Sequence, residues 1–469
     1  MGFVLTIFYL VTNYLTPVTL FGPLAEYRIE LILAVLILLV SLPKLMGSFI
    51  LKTAQSLALI GLAIAASLSV LFGAHWAGGG VHAFLDFIPN AFAFFLVCLH
   101  CNSKRKLQIV VLMLLFVCLF VIARGCIDLR HLAPEGAEVQ AGQSERTDPD
   151  LWNMEHPYLL AMKNDQGEMF YRIRGLGLIN DPNDFGQLLV CVTPLLFFFW
   201  RAKKILFNVA FVVLPVCVLL FGGYLTHSRG ALLALIAVAI VAARRRVGMV
   251  PAVLLAVALF AGAMALNFTG GRQISEQSGE DRTSLWGQGL EIVKAHPLFG
   301  VGFGNMPDYT EDHHTAHNSL VVCAAELGLF GLYFWSLFLL PTVRDALAIA
   351  SPKKLTEGEP IVLEESPFPQ PAWKVEELDK AEINRLGRLV ILSLTGLLVA
   401  AWFLSRAYVM TFFLLGGVAE VVFQMALQRK MVASRLPLGR TLVYAGGLLI
   451  SLLLATYILL RVVNLTRVG

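Results

Sequence analysis

Residues 104–125 read KRKLQIVVLMLLFVCLFVIARG, three basic residues followed by an apolar run. An α-helix of roughly 20 apolar residues crosses the hydrocarbon core of a bilayer, which is about 30 Å thick. Similar runs recur along the 469-residue chain, of which 57% is hydrophobic and only 14% charged. The mean hydropathy of +0.74 lies far above that of soluble domains. The sequence therefore predicts an all-α integral membrane protein with many crossings, rather than a barrel.

Apolar segments of this kind recur from one end of the chain to the other. They lie near 3–21, 29–50, 54–73, 84–100, 107–125, 184–200, 204–225, 230–243, 248–267, 318–341, 388–404, 407–427 and 441–461. The first segment has no basic residue before it and no small-residue cleavage site after it, so we expect it to remain as an anchor. We predict about 12 transmembrane helices, with one N-terminal segment shallow or re-entrant.

Short basic loops follow every second apolar segment, at residues 104–106, 201–204, 244–246 and 429–430. Such loops stay on the cytoplasmic side of the membrane. The loops between them must then face outward, and these are residues 126–180, 224–230, 267–317 and 405–408. The side of the C-terminus depends on the number of crossings, because 12 leave it inside and 13 leave it outside.

This topology divides the chain into seven consecutive parts. Residues 342–387 differ from the rest because they carry nine of the 32 acids in a proline-rich stretch that cannot bury a core of its own. We interpret them as a charged cytoplasmic loop. The predicted parts are transmembrane helices in 1–125, an outward loop in 126–183, helices in 184–266, an outward loop in 267–317, a helix in 318–341, the charged loop in 342–387 and helices in 388–469.

Several common functions are not supported by the motifs. The glycine-rich stretch FGVGFGNM at 299–306 does not follow a strand and lies on the outward side, and no phosphate-binding Gly-Lys-Ser/Thr loop is present. ATP is therefore not expected as the energy source. Cys98 and Cys101 form a CxxC pair with no second pair to complete a zinc site, and only Cys126 falls in an outward loop, so we expect no structural disulfide.

Polar and ionisable residues gather instead at the outward ends of the apolar segments. Ionisable groups in or near lipid are costly and usually mark a cavity or a site. The four stretches are YRIRGLGLINDPND at 171–184, THSRGA at 226–231, EDRTSLWGQGLEIVKAHPLFGVGFGNM at 280–306 and HHTAHNSL at 313–320. We expect the chemistry of the protein to lie there.

Four outward arginines are candidates for binding an anion. Arg229 sits in a tight turn that opens a helix, and a guanidinium there presents a planar fork suited to a diphosphate. Its alternative role is to snorkel to lipid headgroups. Arg282 begins a short amphipathic helix whose apolar stripe could lie on the membrane surface. The alternative is that Arg282 is an ordinary arginine on the polar face of that helix. Arg172 and Arg174 are basic residues in an outward loop, although basic residues are enriched in cytoplasmic loops. They are therefore candidate phosphate ligands.

The histidines of EDHHTAHNSLV at 311–321 are candidates for proton transfer. His317 is followed at once by Asn318 and a long apolar run, which places an imidazole and an amide at the mouth of the membrane. An imidazole there can take a proton from a hydroxyl near neutral pH. His313 and His314 could share the site or be solvated loop residues. A zinc site with Asp312 is a weaker alternative, because H-H-x-x-H is not a usual ligand spacing.

The stretch NDPNDF at 180–185 has a structural interpretation. Asp181 or Asn183 with Pro182 favours a turn, and Asp184 can cap the helix that follows. We expect the neighbouring glycines of GVGFGN likewise to allow close backbone packing.

The stretches GLGLINDPNDFGQLL, THSRGALLAL, DRTSLWGQGLEIVKAHPLFGVGFGN and AHNSLVVCAAELGLFGLYFW, in that order, resemble the O-antigen ligase family. The resemblance covers residues 170 to 340. It implies a bacterial inner-membrane glycosyltransferase of the lipid-carrier-dependent, GT-C-like type, with its active site in the periplasm and 267–317 as its catalytic loop. The matching catalytic positions are Arg229, Arg282 and His317.

The resemblance also implies the substrates. The donor is a glycan on undecaprenyl diphosphate, the acceptor is lipid A-core, both arrive through membrane lipids, and neither a cofactor, a metal nor nucleic acid takes part. The candidate substrate-binding residues are Arg172, Arg174, His313, His314 and Asn318. Nothing in the sequence specifies an oligomeric state.

Related activities remain open within the same superfamily. An O-antigen polymerase would use the same donor and extend another lipid-linked glycan, whereas a protein O-oligosaccharyltransferase would glycosylate serine or threonine. We favour the ligase because the outward loop 267–317 is compact and no further periplasmic domain is present to hold a protein substrate. A membrane transporter is a weaker alternative, since no internal repeat is found.

Overall fold

A computed structural model gives the structure of the protein and describes residues 1–17, 29–46, 49–132, 156–163, 169–270, 276–311, 313–351, 375–432 and 435–468. Within these residues the fold is a helical bundle with one two-stranded hairpin. The middle of the predicted outward loop 126–183 and half of the predicted charged loop 342–387 lie outside the described residues, as does Asp312.

The helices are numbered here in chain order. They are α1 Gly2–Leu15, α2 Ile29–Met46, α3 Ala54–Phe72, α4 Ala77–His100, α5 Lys104–Leu132, α6 Pro182–Leu195, α7 Ile205–Leu225, α8 Arg229–Val247, α9 Met249–Ala265, α10 Glu276–Ala295, α11 Ser319–Ala350, α12 Lys380–Ala401, α13 Met410–Gln428 and α14 Leu438–Val468.

Ten helices in the described part of the chain are long and apolar enough to cross a membrane. They are α2 to α7 and α11 to α14, with α6 continued by a short 3-10 turn. The protein is thus a multi-pass membrane protein, as its hydropathy predicts. Helices α1 and α9 are apolar but shorter, at 14 and 17 residues. At 1.5 Å per residue, α1 rises only about 21 Å, less than the hydrocarbon thickness. The total of 12 crossings therefore remains a prediction.

The described fold is nearly all-helical, as predicted, and the exception is a short hairpin in the first outward loop. Strands β1 (Leu159–Lys163) and β2 (Met169–Ile173) pair antiparallel, with Leu159 opposite Ile173. Both of these side chains are fully buried. The sequence MFYRI in β2 is rich in residues that fit a half-buried strand. A strand of five residues is difficult to recognise in a sequence dominated by long apolar helices.

The amphipathic helix expected to begin at Arg282 and to lie on the membrane surface is longer than predicted and packs against other helices. Helix α10 begins at Glu276, and it packs against α11 and α14. Its residues Trp286 and Ile292 are buried in a cluster with Val301 and Met306. The apolar stripe therefore covers the protein's own core instead of the membrane surface, because a continuous partner surface is available at the start of α11.

Glycines allow the central helices α3, α4, α11 and α13 to approach closely. A side chain at Gly417 of α13 would meet the Phe94 carbonyl and the Val97 side chain of α4 at about the closest distances that real contacts show. The segment after α10 fits into a break in α11 at Gly328, whose φ is 65°, and a Cβ at Gly300 would lie 2.4 Å from the Glu326 backbone. Small residues at helix interfaces are typical of membrane bundles, and the close packing expected for this glycine stretch is confirmed.

The basic loops predicted to be cytoplasmic meet at one end of the bundle. The Lys104 ammonium lies 2.6 Å from the Glu382 carboxylate, and Arg385 pairs with the same carboxylate. The Arg245 guanidinium donates to the Ala350 carbonyl at 3.0 Å, and Arg385 also donates to the carbonyl of Trp200. The alternating arrangement of basic loops in the sequence therefore corresponds to one shared face of the fold.

Candidate active site

The turn that carries Arg229 is held in place by its neighbours in sequence. Ser228 caps α8 by accepting a hydrogen bond from the Ala231 N–H at 3.3 Å, so Arg229 is the first residue of the helix. Gly186 of α6 faces this turn, and a Cβ there would lie 2.8 Å from that of Ala231. A larger residue at position 186 would push the turn away from α6. Arg229 is half-buried in this position.

Arg172 fixes the same turn from the hairpin side. Its side chain is 3% exposed. Nε donates to the Thr226 carbonyl at 2.7 Å, and one terminal nitrogen donates to the Asn183 side-chain oxygen at 2.9 Å. These contacts join β2, the α7–α8 turn and the start of α6. The residue predicted as a phosphate ligand thus uses these donors within the protein.

Helix α10 brings Arg282 to the start of α11. The Trp286 ring nitrogen donates to the Ala316 carbonyl at 2.8 Å, and the Trp286 ring lies edge-on to Trp402 with centroids 5.8 Å apart. Arg282 precedes Trp286 by one helical turn, and residues four apart share a helix face. The tryptophan that anchors α10 beside residue 316 therefore also directs Arg282 toward His317.

His317 lies immediately before the cap of α11. Its backbone adopts a left-handed conformation with φ 47°, which is uncommon for a residue other than glycine. The N–H of His317 donates to the Ser405 hydroxyl at 2.9 Å. Asn318 is completely buried, and its side-chain oxygen accepts from the N–H groups of Leu320 and Val321. The predicted substrate ligand Asn318 is thus the helix cap that fixes the position of His317.

Arg282 interacts electrostatically with both of the other residues predicted to be catalytic, Arg229 and His317. Burial lowers the pKa of Arg282, and the guanidinium of Arg229 lowers it further. Burial likewise lowers the pKa of His317 below its ordinary value, and Arg282 adds to this effect while Asp181 opposes it. An imidazole with a lowered pKa is neutral at pH 7 and can accept a proton. The fold therefore brings two guanidinium groups and a neutral imidazole into one region.

The other two histidines of this stretch are exposed and differ in their relation to His317. The His313 ring nitrogen Nδ1 donates to the Pro307 carbonyl at 3.2 Å. His314 lies nearer the site, since it is among the groups that lower the pKa of His317. Its carbonyl accepts from the Thr310 hydroxyl at 2.8 Å.

Two acids and one arginine at this site were not among the predicted catalytic or substrate-binding residues. Asp181, and not Asp184, caps α6, because its carboxylate accepts from the Asn183 N–H at 2.7 Å. Asp184 is instead buried and accepts from the Arg406 Nε at 2.6 Å. Burial opposes the charge of Arg406, but Asp184 and Asp181 outweigh it and raise the Arg406 pKa. An arginine in an outward SRAY link runs against the charge bias, and that signal could have identified Arg406.

Asp181 interacts electrostatically with three groups of the site, His317, Arg406 and Arg174. It raises the pKa of His317 against the effect of burial, and it contributes to raising that of Arg406. Burial lowers the pKa of Arg174, and Asp181 opposes that shift also. The predicted substrate ligand Arg174 therefore interacts electrostatically with the same carboxylate as His317, from the half-buried segment that follows β2.

Metal ligands are not grouped in the part of the chain that the structure describes, where no three His, Cys, Asp or Glu residues come together as a candidate site. The described histidines at 313, 314 and 317 accordingly do not converge as a ligand set. Asp312, the fourth residue of that alternative, is outside the described part.

Residues 214–336 match the protein-family model described as O-antigen ligase. This segment is similar to the O-antigen ligase family. It begins in α7 and ends in α11, and it contains Arg229, Arg282 and His317. The resemblance found in the sequence is confirmed for this segment, whereas Arg172, Arg174, Asp181 and Arg406 lie outside it. No curated protein and no solved structure matches the chain.

Proposed function

We propose that the protein transfers O-antigen polysaccharide from undecaprenyl diphosphate to the lipid A-core oligosaccharide on the periplasmic face of the inner membrane. One observation carries this proposal. Arg229, Arg282 and His317 come from three separate elements of the matched segment and form one electrostatically coupled group. The group combines the two requirements of such a transfer, a cationic site for a diphosphate and a base for a hydroxyl.

The arginines are suited to the leaving group. As the sugar–phosphate bond breaks, negative charge develops on the diphosphate, and guanidinium groups fixed beforehand stabilise that charge in a site of low dielectric. Arg229 and Arg282 repel one another, since Arg229 lowers the pKa of Arg282. A diphosphate bound between them would relieve this repulsion and accept hydrogen bonds from both planar forks.

His317 is suited to the acceptor. The neutral imidazole removes the proton from a sugar hydroxyl of the core oligosaccharide while that oxygen attacks the anomeric carbon. The new carbon–oxygen bond forms as the bond to the diphosphate breaks, and the proton remains on His317 until solvent takes it. Attack from the side opposite the diphosphate inverts the anomeric carbon. No step in this scheme requires a nucleotide.

The position of the group fits substrates that arrive from a bilayer. Arg229 opens α8 and His317 directly precedes α11, so both lie at helix ends, where a lipid-linked diphosphate and a lipid-linked sugar would meet. We assign Arg174 and His314 to the surrounding substrate contacts, whereas the His313 ring is bonded to the Pro307 carbonyl. Arg172 and Asn318 support the turn and the helix start.

The decisive experiment is genetic and biochemical together. Deletion of the gene should remove all long chains from lipid A-core on a lipopolysaccharide gel, while polymer accumulates on undecaprenyl diphosphate. A single repeat unit attached to core would indicate an O-antigen polymerase instead. Glycan transferred to serine or threonine of a protein would indicate a protein O-oligosaccharyltransferase. Transfer in detergent from a purified donor to purified lipid A-core then tests the reaction directly.

A further inference from the structure

The link between α12 and α13 contacts the backbone of His317 although it lies outside the segment 214–336 that matches the family. The Ser405 hydroxyl accepts the His317 N–H at 2.9 Å and forms a second hydrogen bond with the Thr315 hydroxyl. The one side chain therefore contacts the residues on both sides of Ala316. The proposed mechanism assigns no role to this contact.

The backbone of His317 needs such support. A left-handed conformation is strained for a residue with a side chain, and it persists only where surrounding contacts determine it. The His317 φ of 47° is of this kind. Residues 315 to 317 are held at three points, by Ser405 at each end and by the Trp286 ring nitrogen at the Ala316 carbonyl between them.

The link is itself fixed to two helices. The Ser319 hydroxyl at the start of α11 donates to the Leu404 carbonyl at 2.7 Å and accepts from the Arg406 N–H at 3.1 Å. The Arg406 side chain then reaches the start of α6, where it pairs with Asp184. Ser405 is thus held between the helix that His317 precedes and the helix that Asp181 caps.

We propose that Ser405 is a positioning residue that holds the His317 imidazole in its reactive orientation, with Arg406 anchoring the link to α6. This rests on the proposed function, because it takes His317 as the base. Ser405 does not touch substrate. It fixes the backbone from which the imidazole projects, and a base displaced by a fraction of an ångström loses much of its rate advantage.

The test measures kcat and the KM for donor in detergent, at saturating donor and across donor concentrations. It compares Ser405→Ala and Ser405→Thr with the wild type. Removing the hydroxyl takes the acceptor from the His317 N–H, so we expect kcat to fall about tenfold while the KM for donor stays unchanged. Threonine keeps a hydroxyl and should restore most of the rate. Ser393→Ala is the matched control, because Ser393 is a buried serine of α12 whose hydroxyl donates to the Cys191 carbonyl far from His317.

A double mutant separates positioning from a general structural effect. If Ser405 acts through His317, Ser405→Ala should lower the rate of the wild type but not the residual rate of His317→Ala. If Ser405→Ala is not recovered folded, Thr315→Val removes the other partner of the same hydroxyl and should show a smaller decrease with the same non-additivity.

Two results would overturn the role of Ser405 alone, while wild-type transfer and the loss in His317→Ala both hold. One is a normal rate in folded Ser405→Ala, and the other is an equal decrease in both backgrounds. A His317→Ala variant that transfers normally would instead refute His317 as the base, and the role of Ser405 with it.

Discussion

Arg229 begins α8 and Arg282 lies in α10, beyond the whole of α9 in the chain. In the fold their guanidinium groups are nevertheless close enough that Arg229 lowers the pKa of Arg282 in addition to the effect of burial. Two like charges held together in a partly buried position are unfavourable without an anion. Their arrangement is the feature of the site that most directly indicates a multiply charged ligand.

Replacing either arginine tests the proposed diphosphate site. Arg229→Ala and Arg282→Ala should each abolish transfer, because the leaving group loses a charge-assisted fork. Lysine at either position should restore only part of the rate, since a point charge lacks the bidentate geometry. Lys203→Ala, at an exposed basic residue of the opposite end, is the control and should transfer normally. Normal transfer by both alanine variants would exclude this site for the diphosphate.

Replacing the histidines tests the identity of the base. His317→Ala should lower the transfer rate by roughly two to four orders of magnitude, the range for a lost general base. His313→Ala is the matched control, because its exposed ring bonds to the Pro307 carbonyl, and it should change the rate little. The transfer rate of His314→Ala should lie between those of the other two variants, since His314 interacts electrostatically with His317. Loss of transfer in His314→Ala alone would move the base to that residue.

The pH dependence of the rate follows from the environment of His317. Burial and the charge of Arg282 lower the pKa of His317 below its ordinary value near 6.5. The rate should therefore stay constant as pH falls to about 6.5 and decrease only below it, once the imidazole becomes protonated. Arg282→Gln removes a positive neighbour, so the protonation midpoint of the His317 ring, followed by NMR, should rise, whereas Arg282→Lys should leave it low. A midpoint unchanged in the glutamine variant would contradict the coupling.

The independence of metal and nucleotide is tested with purified components. Transfer from undecaprenyl diphosphate-linked donor should proceed at the same rate with and without EDTA, and without ATP. The physical reason is that guanidinium groups supply the positive charge that a metal ion would otherwise provide. Complete inhibition by the chelator, reversed by added metal, would be the contrary result.

The ion pair between Arg406 and Asp184 should contribute to stability. Arg406→Ala leaves the buried Asp184 carboxylate without its guanidinium, and since Arg406 is itself partly exposed we expect a loss of about 1–3 kcal/mol. Thermal unfolding in detergent measures this loss. The double variant with Asp184→Asn should recover part of it, and Arg388→Ala, at an exposed arginine of α12, is the control. An unchanged melting temperature in Arg406→Ala would show that water replaces the pair.

The membrane class and the position of the helices could be predicted because hydrophobicity is a local property. Each of the ten long apolar helices is a continuous run in the sequence, and the lipid solvent imposes its length. The family resemblance likewise rests on short stretches such as THSRGALLAL and AHNSL, which the matched segment 214–336 includes. Both depend on residues that are neighbours in the chain.

The hairpin and the extent of α10 were missed for the opposite reason. Strands β1 and β2 are five residues each, and their pairing depends on partners and burial rather than on length. The apolar stripe of α10 has the same pattern whether it meets lipid or protein. Only the presence of the buried cluster around Val301 and Met306 decides between the two.

The sequence by itself determined that this chain crosses the membrane many times and that its polar residues gather at helix ends, and it predicted a catalytic role for Arg229, Arg282 and His317. The tertiary structure alone decided their surroundings: the repulsion between the arginines, the effect of Asp181 on the pKa of His317, and the hydrogen bond from the His317 N–H to Ser405. The physical reason is that a pKa and a strained backbone are set by groups within a few ångströms. Residues 88 apart in the chain, such as His317 and Ser405, become neighbours only when helices pack.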